Sequence, residues 1–287
     1  MSLLVVGSVA LDSVETPFGK AHEALGGSAV YISTAASFFA APVRLVGVVG
    51  GDFPRKHIEF LEERDIELEG LQIVEEGKTF RWGGRYHYDL NSRDTLFTEL
   101  NVFEKFNPII PASYKNSAYV CLGNIDPVLQ RQVLQQIQKP RLVIGDTMNY
   151  WIETKPKELM ETMKVMDVIV VNESEARLLT QEPNLIKAAK RIIALGPKIV
   201  IIKKGEHGAV LVTEDSIFSA PAYPLENLYD PTGAGDAFAG GFAAILSAPV
   251  ITALTRPFCM IYAAVLSVLT VKGIPSFPSS HAVNRAP

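Results

Sequence analysis

The sequence predicts an α/β protein: a doubly wound, mostly parallel sheet flanked by helices, with a small antiparallel β flap beside it. Three observations carry this expectation. Short, near-continuously apolar runs rich in β-branched residues alternate with helix-like segments, as strands covered on both faces require. One long stretch breaks the alternation with period-2 patterning and many aromatics. Polar and glycine motifs recur just after the apolar runs, where open α/β sheets bind their ligands.

In chain order the strand candidates are Leu3–Val6, Val43–Val49, Ala118–Leu122, Leu142–Ile144, Val168–Val171 and Ile199–Ile202. Helix-like segments lie at Ala29–Ala40, Pro54–Arg64, Pro127–Ile137, Pro156–Met163, Glu173–Leu179 and Leu185–Leu195. Repeated βα units of this kind build a parallel sheet. From Leu71 to Phe103, LQIVEEGKTFRWGGRYHYDLNSRDTLFTELNVF reads as hairpin strands, with Gly83-Gly84 as the turn signal. With the segment after the first strand, about 9–20, it forms the expected flap, placed to exclude water from a cleft. Arg81, Arg85 and His87 alternate with the flap's aromatics and read as a solvated cross-strand face.

The 287 residues are 48% hydrophobic and 20% charged, which supplies a substantial core. No linker-like stretch, low-complexity tract or internal repeat divides them, so one domain over 1–287 is expected. A formal net charge of -4 without a basic block disfavours a nucleic-acid polymer as partner. Cys121 and Cys259 sit in apolar surroundings without metal-ligand spacing and read as buried free thiols, in keeping with a reducing cytoplasm. MSLLVVGSVALD has neither a basic n-region nor a long apolar h-region, so no export signal and a cytoplasmic location are expected. Uncharged runs from Ala237 to Thr255 and Phe258 to Val271 are broken up by Gly240, Gly241, Pro249, Arg256 and Pro257. They read as buried helices, and no membrane partner is expected.

The chemistry concentrates in DPTGAGDAFAGGF, Asp230 to Phe242. A glycine-rich turn opens a small-residue helix and places Asp236 in its first turn. Gly233 and Gly235 let the N–H groups of Gly233, Ala234, Gly235 and Asp236 converge, and the helix adds the positive end of its dipole, so a phosphate suits the turn. A carboxylate beside an anion is repelled by it unless it takes a proton from the group attacking that anion. Taken alone, GAGD fits equally well a tight turn before an ordinary helix whose first-turn acid meets the dipole. Ala234, Ala237, Ala239, Gly240 and Gly241 beside Phe238 and Phe242 imply a helix packed closely on a neighbour.

The whole string resembles the C-terminal signature of the PfkB, or ribokinase-like, family of carbohydrate and nucleoside kinases. LGGSAVYISTAASFFA is similar to the family's double-glycine helix opening, at Gly26 and Gly27 with Ser28 beside them. Asp12 in GSVALD resembles the aspartate that binds substrate hydroxyls, and VGVVGGDF, with Asp52, the next signature. VNESEARLL resembles the NxxE element, as Asn172 and Glu175, and IIKKGEHGAVL the strand turn near the nucleotide, through Gly205 and Gly208. Together these cover Leu3 to about Phe242.

The resemblance implies a ribokinase-like fold with the flap as its lid, ATP and Mg²⁺ as cofactors, and room for a monovalent cation. It implies transfer of the γ-phosphate to an alcohol group of a nucleoside or sugar. On it, Asp236 is the general base and the backbone of Gly233, Ala234, Gly235 and Asp236 the anion hole. Asp12, Gly26, Gly27, Ser28, Tyr31 and Asn124 fall on the acceptor side. Asn172, Lys204, Gly205, Gly208 and Thr232 fall on the nucleotide side, with Glu175 and Asn172 holding Mg²⁺ through water. A carboxylate such as Asp12 accepts two hydrogen bonds from a vicinal diol. Asn172 and Glu175 share one face at a helix start, a spacing that also makes an N-cap followed by a first-turn acid. Of Lys203 and Lys204, which end an apolar strand, one is expected near a phosphate.

Sugar-binding members often carry Asn where this chain has Tyr31, which makes one hydrogen bond and stacks. With Phe80, Trp82, Tyr86 and Tyr88 in the flap, this favours a nucleoside acceptor over a plain sugar. The flap's exposed strands and aromatics allow a homodimer through the lid. MIYAAVLSVLTVKG resembles the family's last core helix, but KGIPSFPSSHAVNRAP replaces the longer segment that walls the adenine pocket. That departure keeps a second reading: a catalytically weak or inactive nucleotide- or sugar-binding regulatory protein on the same fold. A Rossmann dehydrogenase is disfavoured, because no GxGxxG follows the first strand.

Overall fold

A computed structural model describes residues 2–247. Cys259, the run from Phe258, MIYAAVLSVLTVKG and the KGIPSFPSSHAVNRAP end lie outside the described residues. The chain runs β1 (Leu3–Val6), β2 (Ala10–Thr16), β3 (Gly19–Gly26), α1 (Ser28–Ser37), β4 (Val43–Gly50), α2 (Arg55–Glu62), β5 (Ile66–Val74), β6 (Phe80–Tyr86) and β7 (Arg93–Glu99). It continues through β8 (Tyr119–Leu122), α3 (Pro127–Gln136), β9 (Leu142–Asp146), α4 (Asn149–Thr154), α5 (Pro156–Met163), β10 (Val168–Asn172), α6 (Glu173–Thr180) and α7 (Leu185–Ile193). β11 (Ile199–Lys203), β12 (Ala209–Val212), β13 (Ile217–Ala220) and α8 (Ala234–Ser247) follow.

Among the described residues, nine strands form one sheet in the order β13-β12-β11-β10-β9-β8-β1-β4-β5. Pairing is parallel from β11 to β5, and β12 and β13 add an antiparallel edge. Leu3 and Val5 of β1 enter a core shared with α1 and α8, while Leu4 and Val6 enter a second core with Val120, Leu122 and Val133. A third core packs α5 to α7 on β10 to β12. Both faces are covered, so the strands are apolar throughout instead of alternating. Among the described residues no helix is long and apolar enough to cross a membrane.

A second sheet, ordered β3-β2-β6-β7, forms the lid. Its hairpins β2–β3 and β6–β7 are antiparallel, and β2 joins β6 in parallel between them. The lid borders differ from expectation at three points. Leu71–Val74 belong to β5, the edge of the main sheet, and the first hairpin extends to Gly26. Gly83-Gly84 lie inside β6, where the register with β7 shifts. A side chain at Gly83 would overlap the Phe97 ring and one at Gly84 the Trp82 indole, so these glycines make room for rings. The turn falls at 87–92, where the Asp89 carboxylate accepts from the N–H groups of Asn91 (3.1 Å) and Ser92 (3.2 Å).

Asp52 anchors the lid. Its Oδ1 accepts the Thr79 N–H and hydroxyl, both at 2.7 Å, and its Oδ2 the Arg81 guanidinium at 2.8 Å. Arg81 also reaches Glu23 of the first hairpin at 2.8 Å, so one carboxylate at the end of β4 ties down both hairpins. Arg85 pairs with Glu15 (2.7 Å) and His87 with Asp94 (3.1 Å) across the lid strands.

α8 packs on α1, β1 and β8. A side chain at Gly240 would overlap the Ile32 carbonyl, so the backbones of α8 and α1 meet directly. Gly240→Leu should therefore lower stability by about 1–3 kcal/mol. Urea unfolding checks this: the midpoint should fall with the slope unchanged.

Candidate functional site

The strand order reverses at β1, which has β8 on one side and β4 on the other. At the carboxyl edge beside this reversal lie Asp12 on β2, the Gly26-Gly27 turn, Asn124 after β8, and Asp146, Asn172 and Lys203, the last residues of β9, β10 and β11. Such a reversal opens the crevice in which sheets of this kind bind ligands.

On one side of the crevice, Asp12 is 5% exposed, and a side chain at Gly26 would overlap its carboxylate. Gly27 caps α1 at φ 96°, where a side chain would also strike the Ser8 carbonyl. Burial pushes the Asp12 carboxyl up to about 7, against the Gly27 amide and the Tyr31 hydroxyl that donate to it. That hydroxyl lies 3.4 Å from Oδ2. Ser28 turns inward: its Oγ accepts the Ser8 N–H at 3.1 Å, and its N–H donates to the Ser8 hydroxyl at 3.0 Å. The Asn124 amide bridges Met148 Sδ (3.0 Å) and the Trp151 indole N–H (2.9 Å), tying the loop after β8 to α4.

Gly233 adopts φ 74°, and any side chain there would overlap the Tyr31 ring. Tyr31 thus touches Asp12 through its hydroxyl and the glycine-rich turn through its ring. The Ala234 N–H turns back to the Pro231 carbonyl at 3.1 Å, which takes it out of the expected four-amide cradle. The amides of Gly233, Gly235 and Asp236 meet no acceptor among the described residues, as at any open first helical turn. Thr232 ties the turn to the lid, its hydroxyl donating to Tyr86 at 3.3 Å. Burial, and then the charge of Asp146, push the Asp236 carboxyl up to about 7, with Lys203 opposing.

Asp146, which the motif reading did not name, meets Lys203, one of the two lysines it weighed, at the crevice. Lys203 Nζ lies 3.9 Å from Asp146 Oδ1, with side-chain exposures of 17% and 9%. Of the two lysines, Lys203 enters the crevice. The Lys204 N–H instead accepts a turn role, donating to the Gly208 carbonyl at 2.8 Å around the Gly205–His207 turn. Asp146 follows the Leu142–Ile144 run just as Asn172 follows Val168–Val171, so position after a strand was the available signal. Asn172 and Glu175 form a full capping box: the Glu175 N–H donates to Asn172 Oδ1 at 2.8 Å, and the Asn172 N–H to Glu175 Oε2 at 2.7 Å. Burial raises Glu175 to about 7, opposed by Lys203. Arg93 of β7 sits 5.4 Å from the Trp82 ring, and its charge is felt at Asp12, Glu175 and Asp236.

The flap aromatics do not share one stacking face. Phe80 stacks on Phe103 (5.1 Å, 14°), Tyr86 is buried against Thr232, and Tyr88 is 84% exposed. Among the described residues, no group of three or more His, Cys, Asp or Glu is placed to hold a metal ion.

A lidded parallel sheet whose carboxyl edge carries carboxylates, met by a helix N-terminus with open amides and an acid in its first turn, defines a small-molecule phosphotransferase class. The chain belongs to the pfkB family of carbohydrate kinases, whose sequence profile matches residues 3–272, and it is a kinase. It is 34% identical over 249 residues to the cytidine kinase of Thermococcus kodakarensis, a match spanning 85% of this chain and 88% of that protein. Two solved structures share the ribokinase-like fold. A putative ribokinase II of E. coli in complex with ATP and Mg²⁺ has a TM-score of 0.75 at 18% identity, over 93% of this chain and 92% of that one. The nucleoside kinase of Burkholderia thailandensis in complex with inosine has a TM-score of 0.72 at 18% identity, over 93% and 91%.

Gly233→Ala should cost about 1–2 kcal/mol for its left-handed backbone and a further amount for displacing Tyr31. In a Tyr31→Ala background the second part should vanish, giving a coupling of about 0.5–3 kcal/mol in a double-mutant cycle of urea unfolding.

Proposed function

We propose that this kinase moves the γ-phosphate of ATP to a hydroxyl of a nucleoside, with Asp236 as general base. The observation that carries the reading is the Asp236 carboxyl, raised to about 7 at the first turn of α8 beside open amides. A carboxylate tuned near neutral pH accepts a proton well while remaining largely available. Asp12, buried and backed by Gly27 and Tyr31, is suited to hold the acceptor's vicinal hydroxyls. Asp236 takes the acceptor hydroxyl's proton as its oxygen bonds the γ-phosphorus, while the bond from that phosphorus to the β,γ-bridging oxygen breaks and ADP leaves. The amides of Gly233, Gly235 and Asp236 meet the charge on the transferring group.

A Mg²⁺ arriving with the nucleotide would keep most of its waters. Glu175 would hold it through water, and the ion would supply charge neutralisation across the phosphates. The match to a cytidine kinase along 85% of the chain favours a nucleoside over a plain sugar. The outer lid strand β7 is exposed along its whole length, with Leu96 and Phe97 on it, and suits pairing with a second copy. Light scattering after gel filtration should then read twice the chain mass.

ADP release with ATP and Mg²⁺ should be fastest for a nucleoside when cytidine, inosine, uridine, adenosine and ribose are compared. Asp236→Asn should lower turnover by about 10²–10⁴-fold with little change in ATP affinity. Near-normal turnover by that variant would overturn the assignment of the base. Thermal stabilisation by ATP without ADP release for any acceptor would support the binding-protein reading instead.

A further inference from the structure

The carboxylates of Asp146, Glu175 and Asp236 surround the Lys203 ammonium near the start of α8, and the mechanism above gives no part to Asp146 or Lys203. Asp146 and Lys203 close their strands on either side of β10, and their side chains reach across it to within 3.9 Å. Lys203 also packs against the turn: a methyl at Gly235 would sit 2.9 Å from Nζ, and its three nearest atoms would all belong to the Lys203 side chain. Gly235 lies within α8 and outside the left-handed region, so what a methyl there would meet is the Lys203 side chain.

We propose that Lys203 is a positioning residue: braced on Asp146 and pressed against Gly235, its ammonium keeps Asp236 ionised and in place beneath the phosphate-binding turn. The proposal deepens the general-base reading and rests on it. The charged groups facing Asp236 are Asp146 from β9, Lys203 from β11, Asp12 from β2 and Arg93 from β7, and the Tyr31 phenol faces it from α1. Two of these are cations. Arg93 stands on the exposed lid strand, where solvent and salt screen it, whereas Lys203 is held in the sheet. Burial works against the ammonium, yet Asp146, Glu175 and Asp236 together raise Lys203 above the usual lysine value. Its charge is therefore constant across the range in which Asp236 titrates. Cys121 of β8 lies nearby as a neutral thiol, its ionisation pushed up by burial.

The two partners act on Asp236 with opposite sign. Lys203 favours its charged form, and Asp146 disfavours it. Removing each partner should thus move Asp236 in opposite directions, a result that loss of packing does not produce.

Aspartate labelled with ¹³C at the side-chain carboxyl allows the titration of Asp236 to be followed by NMR, its signal assigned by its loss in Asp236→Asn. Lys203→Met should raise the midpoint by about one pH unit or more. Gly235→Ala, whose methyl displaces the ammonium but leaves a fold-compatible residue, should shift it the same way. Asp146→Asn should lower it. In ADP-release assays the acid limb of turnover should follow: upward in pH for Lys203→Met and Gly235→Ala, because a base with a higher pKa is protonated sooner on acidification, and downward for Asp146→Asn. An unchanged midpoint in Gly235→Ala and Lys203→Met, or an upward shift in Asp146→Asn, would refute the proposal. If Lys203→Met does not fold, Gly235→Ala and the Lys203→Met/Asp146→Asn pair decide, the pair being expected to lie between the single shifts. Retained turnover in Asp236→Asn would remove the base role while leaving the titration shifts interpretable, so the two failures are distinguishable.

Discussion

The site depends on how closely α8 approaches α1. Gly240 lies against the Ile32 carbonyl, and Ala237, Ala239 and Ala243 around it are buried, so the two helices touch backbone to backbone. That contact sets the depth at which α8 begins. Its first turn then meets Tyr31, the residue just before Ile32 on α1, with the ring against Gly233 and the hydroxyl toward Asp12. A helix seated even one methyl further out would withdraw its open amides and Asp236 from the crevice. Close-packed interiors transmit such displacements instead of absorbing them.

Within that frame the electrostatics are costly by design of position. Asp12, Asp146, Glu175 and Asp236 are all displaced upward by burial, which is the expected response of carboxyls with little water around them. A structural core would replace such groups by apolar ones, since buried charges rarely repay their desolvation. Their clustering at the carboxyl edge, beside open amides, is characteristic of sites where proton affinity is part of the task. The Lys203 ammonium opposes the rise at Asp146, Glu175 and Asp236.

The sheet was legible in the sequence because double-sided burial leaves a simple trace: Leu3 to Val6 divide between two cores and so never alternate with polar residues. GAGD was legible because its residues are adjacent in the chain. Asp146 and Lys203 were not, because they meet across an intervening strand, and no local pattern records which strand ends face each other. Gly83-Gly84 misled for a different reason. A glycine pair marks a turn when the backbone needs the freedom, but here the Phe97 and Trp82 rings need the space. In the same way, Ser28 stands beside the double glycine, yet its hydroxyl closes the exit of β1 onto α1 through Ser8. Sequence adjacency to a motif does not decide which way a side chain points.

The lid and the glycine-rich turn before α8 are joined by direct contacts. Asp52 roots both hairpins at the end of β4, and among the described residues three contacts connect the far side of the lid to the body: Tyr86 with Thr232, Phe18 edge-on to Tyr229 at 6.1 Å, and Asn91 with Glu206 at 3.4 Å. Two of the three fall on Tyr229 and Thr232, just before α8. The lid thus contacts the segment that leads into Gly233, while the helix behind it packs on α1. Asp12 belongs to lid strand β2 and Asp236 to α8, so the two carboxylates are carried by different layers of the structure. On the proposed roles of Asp12 and Asp236, the position of the lid would set both the exclusion of water and the alignment of the reactants.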